Sequence, residues 1–335
     1  MGSRAYPISF IQDRRRSLGS AAGQITEDFP VLPVSHGILT IDCQQVAANT
    51  ADTPLNLLGK ISSFQVLYRG TAIWSLQAVD LYRLGIPLAG WDPPIYTVGQ
   101  GAAARKLMHI LVPFTRNLYS TFECMPATVR GEMQTVITTT ADPGTYNNYV
   151  YTLEWVQLPD AAPAQFIRAT QLQVTPNSTG DFDVDLPRGA PLVGMGVVLS
   201  NSEPSSALAD IETIKILMAN QDTWYAQVFM DSLRPMIGIY QNVFGENTVQ
   251  HVHIENTAGA YAQNATTLSP MLATGPMREF GWMPFDPTND GKFILDGTKA
   301  LDLKARITFN AANTIRLLPV ELWNPAMIGK PVGKG

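Results

Sequence analysis

The sequence predicts an all-β protein: two tandem eight-stranded jelly rolls with short helices in their connections. Three observations carry that expectation. ISSFQVLYRGTAIW at 61–74 returns as IETIKILMANQDTW at 211–224, so that Ile61 falls on Ile211 and Trp74 on Trp224. Each copy holds many short segments of alternating apolar and polar residues, punctuated by Gly, Asn, Asp and Pro, with little helical periodicity. Each copy also spans about 130–145 residues, enough for two packed four-stranded sheets.

Residues 1–27 precede the first repeated landmark and read as an N-terminal arm outside the first jelly roll, 28–160. DFPVLP at 28–33 resembles DVDLP at 183–187, with Leu32-Pro33 on Leu186-Pro187. A strand-like apolar run follows each, GILTIDCQQV at 37–46 and APLVGMGVVL at 190–199. Asn49 and Pro54 then match Asn201 and Pro204. In the next pair, Phe64, Val66 and Tyr68 alternate with Ser63 and Gln65, as Ile214, Ile216 and Met218 alternate with Thr213 and Lys215. Helical spacing also connects Ile61, Phe64 and Tyr68, but the turn residues Arg69-Gly70-Thr71 and Ala219-Asn220-Gln221-Asp222 favour strands. SLQAVDLYRL at 75–84 and YAQVFMDSLRPM at 225–236 have mixed three-and-four apolar spacing, so a short helix is expected after each tryptophan.

Pro113-Phe114 matches Pro284-Phe285, and Met133, Thr135 and Ile137 match Leu303, Ala305 and Ile307. YVYTLEWVQLP at 149–159 and NTIRLLPVELW at 313–323 close the two copies. The offset grows along the chain, which places an insertion of about twenty residues within 240–276 of the second copy. Residues 161–180 read as a linker, 181–325 as the second jelly roll and 326–335 as a C-terminal tail.

The chain has 335 residues, 45% hydrophobic and 15% charged, with a formal net charge of −5. The charged fraction lies below the usual quarter or so, which points to surface that meets other protein. The negative balance provides no global basic field, so no sequence-specific nucleic-acid partner is expected. Cys43 and Cys124 are too few for a disulfide framework and read as free, partly buried side chains. MGSRAYPISF lacks the apolar core of a signal peptide, and Tyr6 breaks the myristoylation pattern. No apolar run is long enough to span a bilayer.

The order of elements is a Leu-Pro strand, an apolar strand, an IxxIxIxxNG-like strand and turn, a short helix, a Pro-Phe strand and two closing strands. Written twice, it resembles the double jelly-roll major capsid proteins of tailless icosahedral viruses with an internal membrane, several bacteriophages among them. The likeness runs from about residue 28 to 325. The resemblance implies a structural protein with no enzymatic activity and no cofactor. It implies a homotrimer whose six sandwiches give a pseudo-hexagonal outline, so that a threefold object packs like a sixfold one. Its implied partners are neighbouring capsomers, penton and minor capsid proteins, and an internal lipid membrane. Its implied location is the virion, after assembly in the host cytoplasm.

Several residues could carry more than packing. His251, His253 and Glu255 in HVHIEN would share one face of a strand, a metal half-site or simply the polar face of a surface strand. His36 and His109 stand alone and read as structural histidines. Asp181, Asp183 and Asp185 alternate in GDFDVDLP, which suits a calcium ion or a charged edge strand. DPTNDGK at 286–292 is first of all a turn. Asn177 and Asn264 match the glycosylation sequon.

Arg14, Arg15 and Arg16 form the one basic cluster, after the apolar AYPISFIQ. Apolar-then-basic suits an arm against anionic headgroups or against a neighbouring subunit, and the resemblance places such arms on the inner face of a shell. Trp74 and Trp224 read as equivalent core or inter-sheet positions, each indole N–H needing a partner.

No GxSxG, HExxH, GxxxxGK[ST] or GxGxxG occurs, and GQGAAA at 99–104 does not complete a phosphate loop. Two other readings remain at this level. A bicupin metalloenzyme also has two β-barrel halves, but needs clustered histidines, and the four here are scattered. A two-domain carbohydrate-binding protein would expose aromatic platforms, whereas aromatics make up 9% of this chain and many occupy strand positions that read as buried.

Overall fold

The computed structural model describes residues 6–47, 54–90, 93, 95–99, 101–200, 210–219, 221–230, 232–233, 279–298 and 300–327. The first half contains β1 (Ile8–Ser17), β2 (Gly23–Asp28), β3 (Val34–Gln45), β4 (Ile61–Tyr68), β5 (Thr71–Leu76), β6 (Ile95–Val98), β7 (Arg105–Pro113), β8 (Met133–Thr139) and β9 (Tyr146–Gln157). The second contains β10 (Phe166–Thr170), β11 (Leu172–Val174), β12 (Gly180–Asp185), β13 (Leu192–Val198), β14 (Ile211–Met218), β15 (Gln221–Phe229), β16 (Phe280–Pro284), β17 (Leu303–Phe309) and β18 (Ile315–Trp323). Helix α1 (Pro54–Leu58) precedes β4 and α2 (Ala78–Ala89) follows β5.

The strands order as β1-β9-β3-β7-β6 in one sheet, β12-β17-β14-β15 in a second, and β16-β13-β18-β10-β5-β4-β8-β2 in a nine-stranded third, with β11 beside β18. In the first half, β1-β9-β3-β7 with β2-β8-β4-β5 is the jelly-roll arrangement. In the second half, β10-β18-β13-β16 with β12-β17-β14-β15 repeats it strand for strand.

The repeat holds at the level of register. Val66 lies opposite Trp74, Leu67 opposite Ala72 and Tyr68 opposite Thr71. Ile216 opposite Trp224, Leu217 opposite Asp222 and Met218 opposite Gln221 form the same hairpin. Both hairpins turn in two residues. Arg69 and Gly70 have φ of 47° and 81°, and Ala219 has φ of 52°, the left-handed geometry that matches strand twist. Met133, Thr135 and Ile137 pair with Tyr68, Val66 and Phe64, as Leu303, Ala305 and Ile307 pair with Met218, Ile216 and Ile214. Pro113 and Pro284 end equivalent strands: the N–H of Phe114 bonds Ser35 and that of Phe285 bonds Val193, each on the third strand of its roll.

The two rolls meet at β10, which is antiparallel to β18 of its own roll and parallel to β5 of the other, with Ala169 opposite Trp74 and Thr170 opposite Ser75. Successive strands of a jelly roll run alternately toward its two ends. β10 is the first strand of its roll and β5 the fifth, so both run toward the same kind of end. Their parallel pairing therefore sets the rolls side by side in the same orientation.

The core follows from this seam. One apolar cluster fills the first roll and continues through α2 to Val193, Val198, Phe280, Trp282, Leu318 and Val320 of the second. A second cluster, with Leu192, Met195, Val197, Ile214, Ile216, Ile307 and Leu317, fills the second roll. The sheet containing β13 is thus covered on both faces, and all seven of its residues are buried. This explains why APLVGMGVVL is a continuous apolar run rather than an alternating one.

The structure corrects three expectations. Residues 8–17 and 23–27, read as part of an arm, lie in the first two strands of the first roll: β1 pairs with β9 and β2 with β8. Residues 166–170, read as linker, form the buried strand β10. The counterpart of Leu186-Pro187 is Phe29-Pro30 rather than Leu32-Pro33, since the N–H of Phe29 bonds Met133 as that of Leu186 bonds Leu303. A short helix follows each hairpin, as expected: α2 begins at Ala78 in the first copy, and in the second β15 runs on to Phe229 before the helical Met230, Ser232 and Leu233. The insertion expected at 240–276 lies outside the described residues.

Candidate assembly interface

The junction between the rolls is built from named groups. The Trp74 indole N–H donates to the Ile167 carbonyl at 2.9 Å, tying β5 to β10, and its ring packs edge-on against Phe114. Helix α2 is buried along almost its whole length and ends on Gly90, whose φ is 63°. Its Asp80 accepts from Arg83 at 2.9 Å and from Arg316 of β18 at 2.7 and 3.0 Å. Arg83 also reaches Glu279 at 2.7 Å. The Asp80–Arg316 and Arg83–Glu279 pairs cross from the first roll to the second.

A third crossing is centred on Arg116. Its Nε and Nη2 donate to Glu123 Oε2 at 3.0 and 2.8 Å, and Nη1 donates to Asp286. The Arg116 backbone N–H also donates to Glu123, at 2.5 Å, and Gly291 donates its N–H to Asp286. Burial disfavours the Arg116 charge, but Glu123 and Asp286 outweigh it and hold the guanidinium above its ordinary range. DPTNDGK is a turn, as expected, and it also supplies the buried Asp286. Arg168 of β10 completes the seam, 2.5 Å from Glu321 and 4.4 Å over the Trp323 ring centroid. Burial pushes the Glu321 carboxyl up, against the pull of Arg168.

The expected basic stretch lies in β1. Arg15 sits at a bulge with φ of 51° and donates to Asp42 at 2.8 Å. Arg16 pairs with Glu27 and with Asp13. Arg14 is exposed. Arg15 and Arg16 thus have carboxylate partners within the chain, and the stretch presents less net charge to an anionic surface than its sequence suggests.

His251, His253 and Glu255 lie outside the described residues, as do Asn201, Pro204 and Asn264, and so does the side chain of Trp224. His36 is buried, bonded through Nδ1 to Ser35 Oγ at 3.0 Å, and burial pushes its pKa down to about 4. His109 bonds Thr40 at 2.8 Å, and burial lowers its pKa as well. Both are structural. Asp183 is held below the usual carboxylate range by two hydrogen bonds from Arg306, and Asp181 accepts from Thr308 at 2.7 Å. β12 is an edge strand, and two of its three carboxylates, Asp181 and Asp183, have protein partners. Among the described residues, no three His, Cys, Asp or Glu are grouped to hold a metal ion, and no helix is long and apolar enough to cross a membrane.

No family model matches the sequence, and no curated protein does. Solved structures do match the fold. The MCP of STIV superposes with a TM-score of 0.67 at 10% identity, covering 97% of this chain and 99% of the other. The major capsid protein P2 of bacteriophage PM2 gives 0.59 at 8%, covering 96% and 99%. The PBCV-1 virus capsid gives 0.58 at 9%, covering 96% and 94%. The fold is the double jelly roll of viral major capsid proteins. The likeness spans nearly the whole chain, both rolls included. The ion pairs that cross the seam, Asp80–Arg316, Arg83–Glu279 and Arg116–Asp286, leave no local sign in the sequence, because each joins residues far apart in the chain.

Proposed function

We propose that the chain is a structural major capsid protein of an icosahedral virion and works as a homotrimer with no catalytic role. The observation that carries this reading is the parallel pairing of β10 with β5. It holds two like rolls in the same orientation, so three chains around an axis would present six like rolls all facing the same way. Such a capsomer has a pseudo-hexagonal outline, and hexagons tile a shell. Neighbouring capsomers, penton and minor capsid proteins are the partners that this role requires. A lipid layer beneath the shell draws little support from Arg14 to Arg16, two of which are paired within the chain.

The test is the mass of the purified protein in solution. Sedimentation equilibrium at micromolar concentration should give three times the 36.6 kDa chain. A stable monomer overturns the reading.

A further inference from the structure

The chain carries two open sheet edges that mirror a pairing it already makes with itself. β1 ends the five-stranded sheet and β15 ends the four-stranded sheet. β1 occupies in the first roll the place of β10 in the second: Val156 of β9 lies opposite both Ser9 and His36, as Val320 of β18 lies opposite both Ala169 and Gly194. β15 occupies the place of β5, as the shared hairpin register shows. Within one chain, β10 is covered by β5. No described strand covers the outer edge of β1 or of β15.

Burial follows the same contrast. Phe166, Ile167 and Ala169 of β10 are 0% exposed, whereas Ile8, Phe10 and Ile11 of β1 are 47%, 43% and 48% exposed. A long edge strand with apolar residues facing solvent invites pairing with another chain. Phe229 at the end of β15 is 56% exposed as well.

We propose that β1 of one chain adds in parallel to the edge of β15 of a second copy, repeating between chains the seam that β10 and β5 make within one. The internal register of Ala169 opposite Trp74 and Thr170 opposite Ser75 transposes to Ser9 opposite Trp224 and Phe10 opposite Tyr225 of the next chain. Each chain has one edge of each kind, so the contact is head-to-tail, and it closes as a ring when its rotation matches that of the internal seam. This deepens the capsomer reading and rests on it.

The test co-expresses two differently tagged chains, one carrying Phe10→Cys and the other Tyr225→Cys, and treats the purified assembly with a short bismaleimide. Cys43 and Cys124 are buried and do not compete. The expected result is a mixed-tag cross-linked pair at least about ten times more abundant than from Phe182→Cys with Tyr225→Cys, since Phe182 lies on β12 at the opposite edge of that sheet. A trimer that sediments normally without this cross-link overturns the strand pairing and leaves the trimer standing. A monomer overturns both. An open polymer that cross-links supports the pairing and overturns the closed trimer. Phe10→Glu provides a second reading that leaves β15 untouched. With an unchanged far-UV spectrum it should weaken assembly at least tenfold, and undiminished assembly overturns the proposal.

Discussion

Replacing Arg116 with methionine tests the ionic lock between the rolls most directly. The Arg116 and Glu123 side chains are 7% and 6% exposed, and that of Asp286 is 0% exposed. Methionine keeps most of the aliphatic volume and removes the guanidinium, which leaves two buried carboxylates without their shared cation. Breaking a buried pair from one side costs about 3–5 kcal/mol. The unfolding entropy of a chain this long is on the order of 0.7 kcal/mol/K, so the thermal midpoint should fall by about 4–7 °C. The assay is circular dichroism at one fixed protein concentration, because assembly also shifts the midpoint. The triple variant Arg116→Met, Glu123→Gln, Asp286→Asn removes the orphaned charges and should regain at least half of the loss, since a neutral site of similar shape avoids most of the desolvation cost. A single variant that melts within a degree of the parent would show that the cluster is not desolvated. A triple variant less stable than the single one would refute the electrostatic account.

Two further outcomes follow from the packing and the histidines. A Cβ on Gly37 would lie 2.4 Å from Trp155 Cζ3, and the indole is fixed by a 2.6 Å hydrogen bond to Gln12, so Gly37→Ala should cost about 1–3 kcal/mol in urea unfolding; a neutral result would mean that the ring can move aside. His36 is held neutral down to about 4, below the ordinary histidine value, so the stability it contributes is complete above about pH 6.5 and is lost as pH falls toward 4. His36→Asn should flatten the loss of stability over that window by about 1–3 kcal/mol, and unchanged pH dependence would place the acid sensitivity elsewhere.

The repeat was legible because it is written into local register. Val66 and Trp74, and then Ile216 and Trp224, face each other across two-residue turns, and such hairpins depend on nearby residues alone. β1 escaped because its alternation is broken by irregularities between Ile11 and Asp13 and between Asp13 and Arg16. A strand whose period slips twice looks like an arm. β10 escaped for the opposite reason. FIRAT is short, and four of its five residues are buried, so it shows no alternation, and the Pro- and Ala-rich stretch before it suggested a linker. The offset used for Leu32 failed because a Leu-Pro match is only two residues long, whereas the backbone pairing that sets Phe29 on Leu186 is a long-range property. The pairs Asp80–Arg316, Arg83–Glu279 and Arg116–Asp286 could not be read from the repeat at all, since each joins one copy to the other.

The low charge of the chain, 15% of its residues, also has a cause inside the chain, beside the surface expected to meet other protein. The sheet of β13, β16 and β18 has the second roll on one face and α2 with the first roll on the other, so its strands have no solvent side on which to place charges. Charged residues in this region, such as Asp80, Arg83, Arg168 and Glu321, are buried and paired beside or across the seam rather than solvated: Asp80 with Arg316 and Arg83 with Glu279 between the rolls, Arg168 with Glu321 within the second. Apolar residues left exposed among the described ones are therefore a better guide to assembly than composition. Ile8, Phe10 and Ile11 stand on the strand whose counterpart in the second roll is fully covered. Duplication has given the chain an inner seam that shows what its open edge lacks, and the proposed pairing with β15 of a second copy would supply the missing strand.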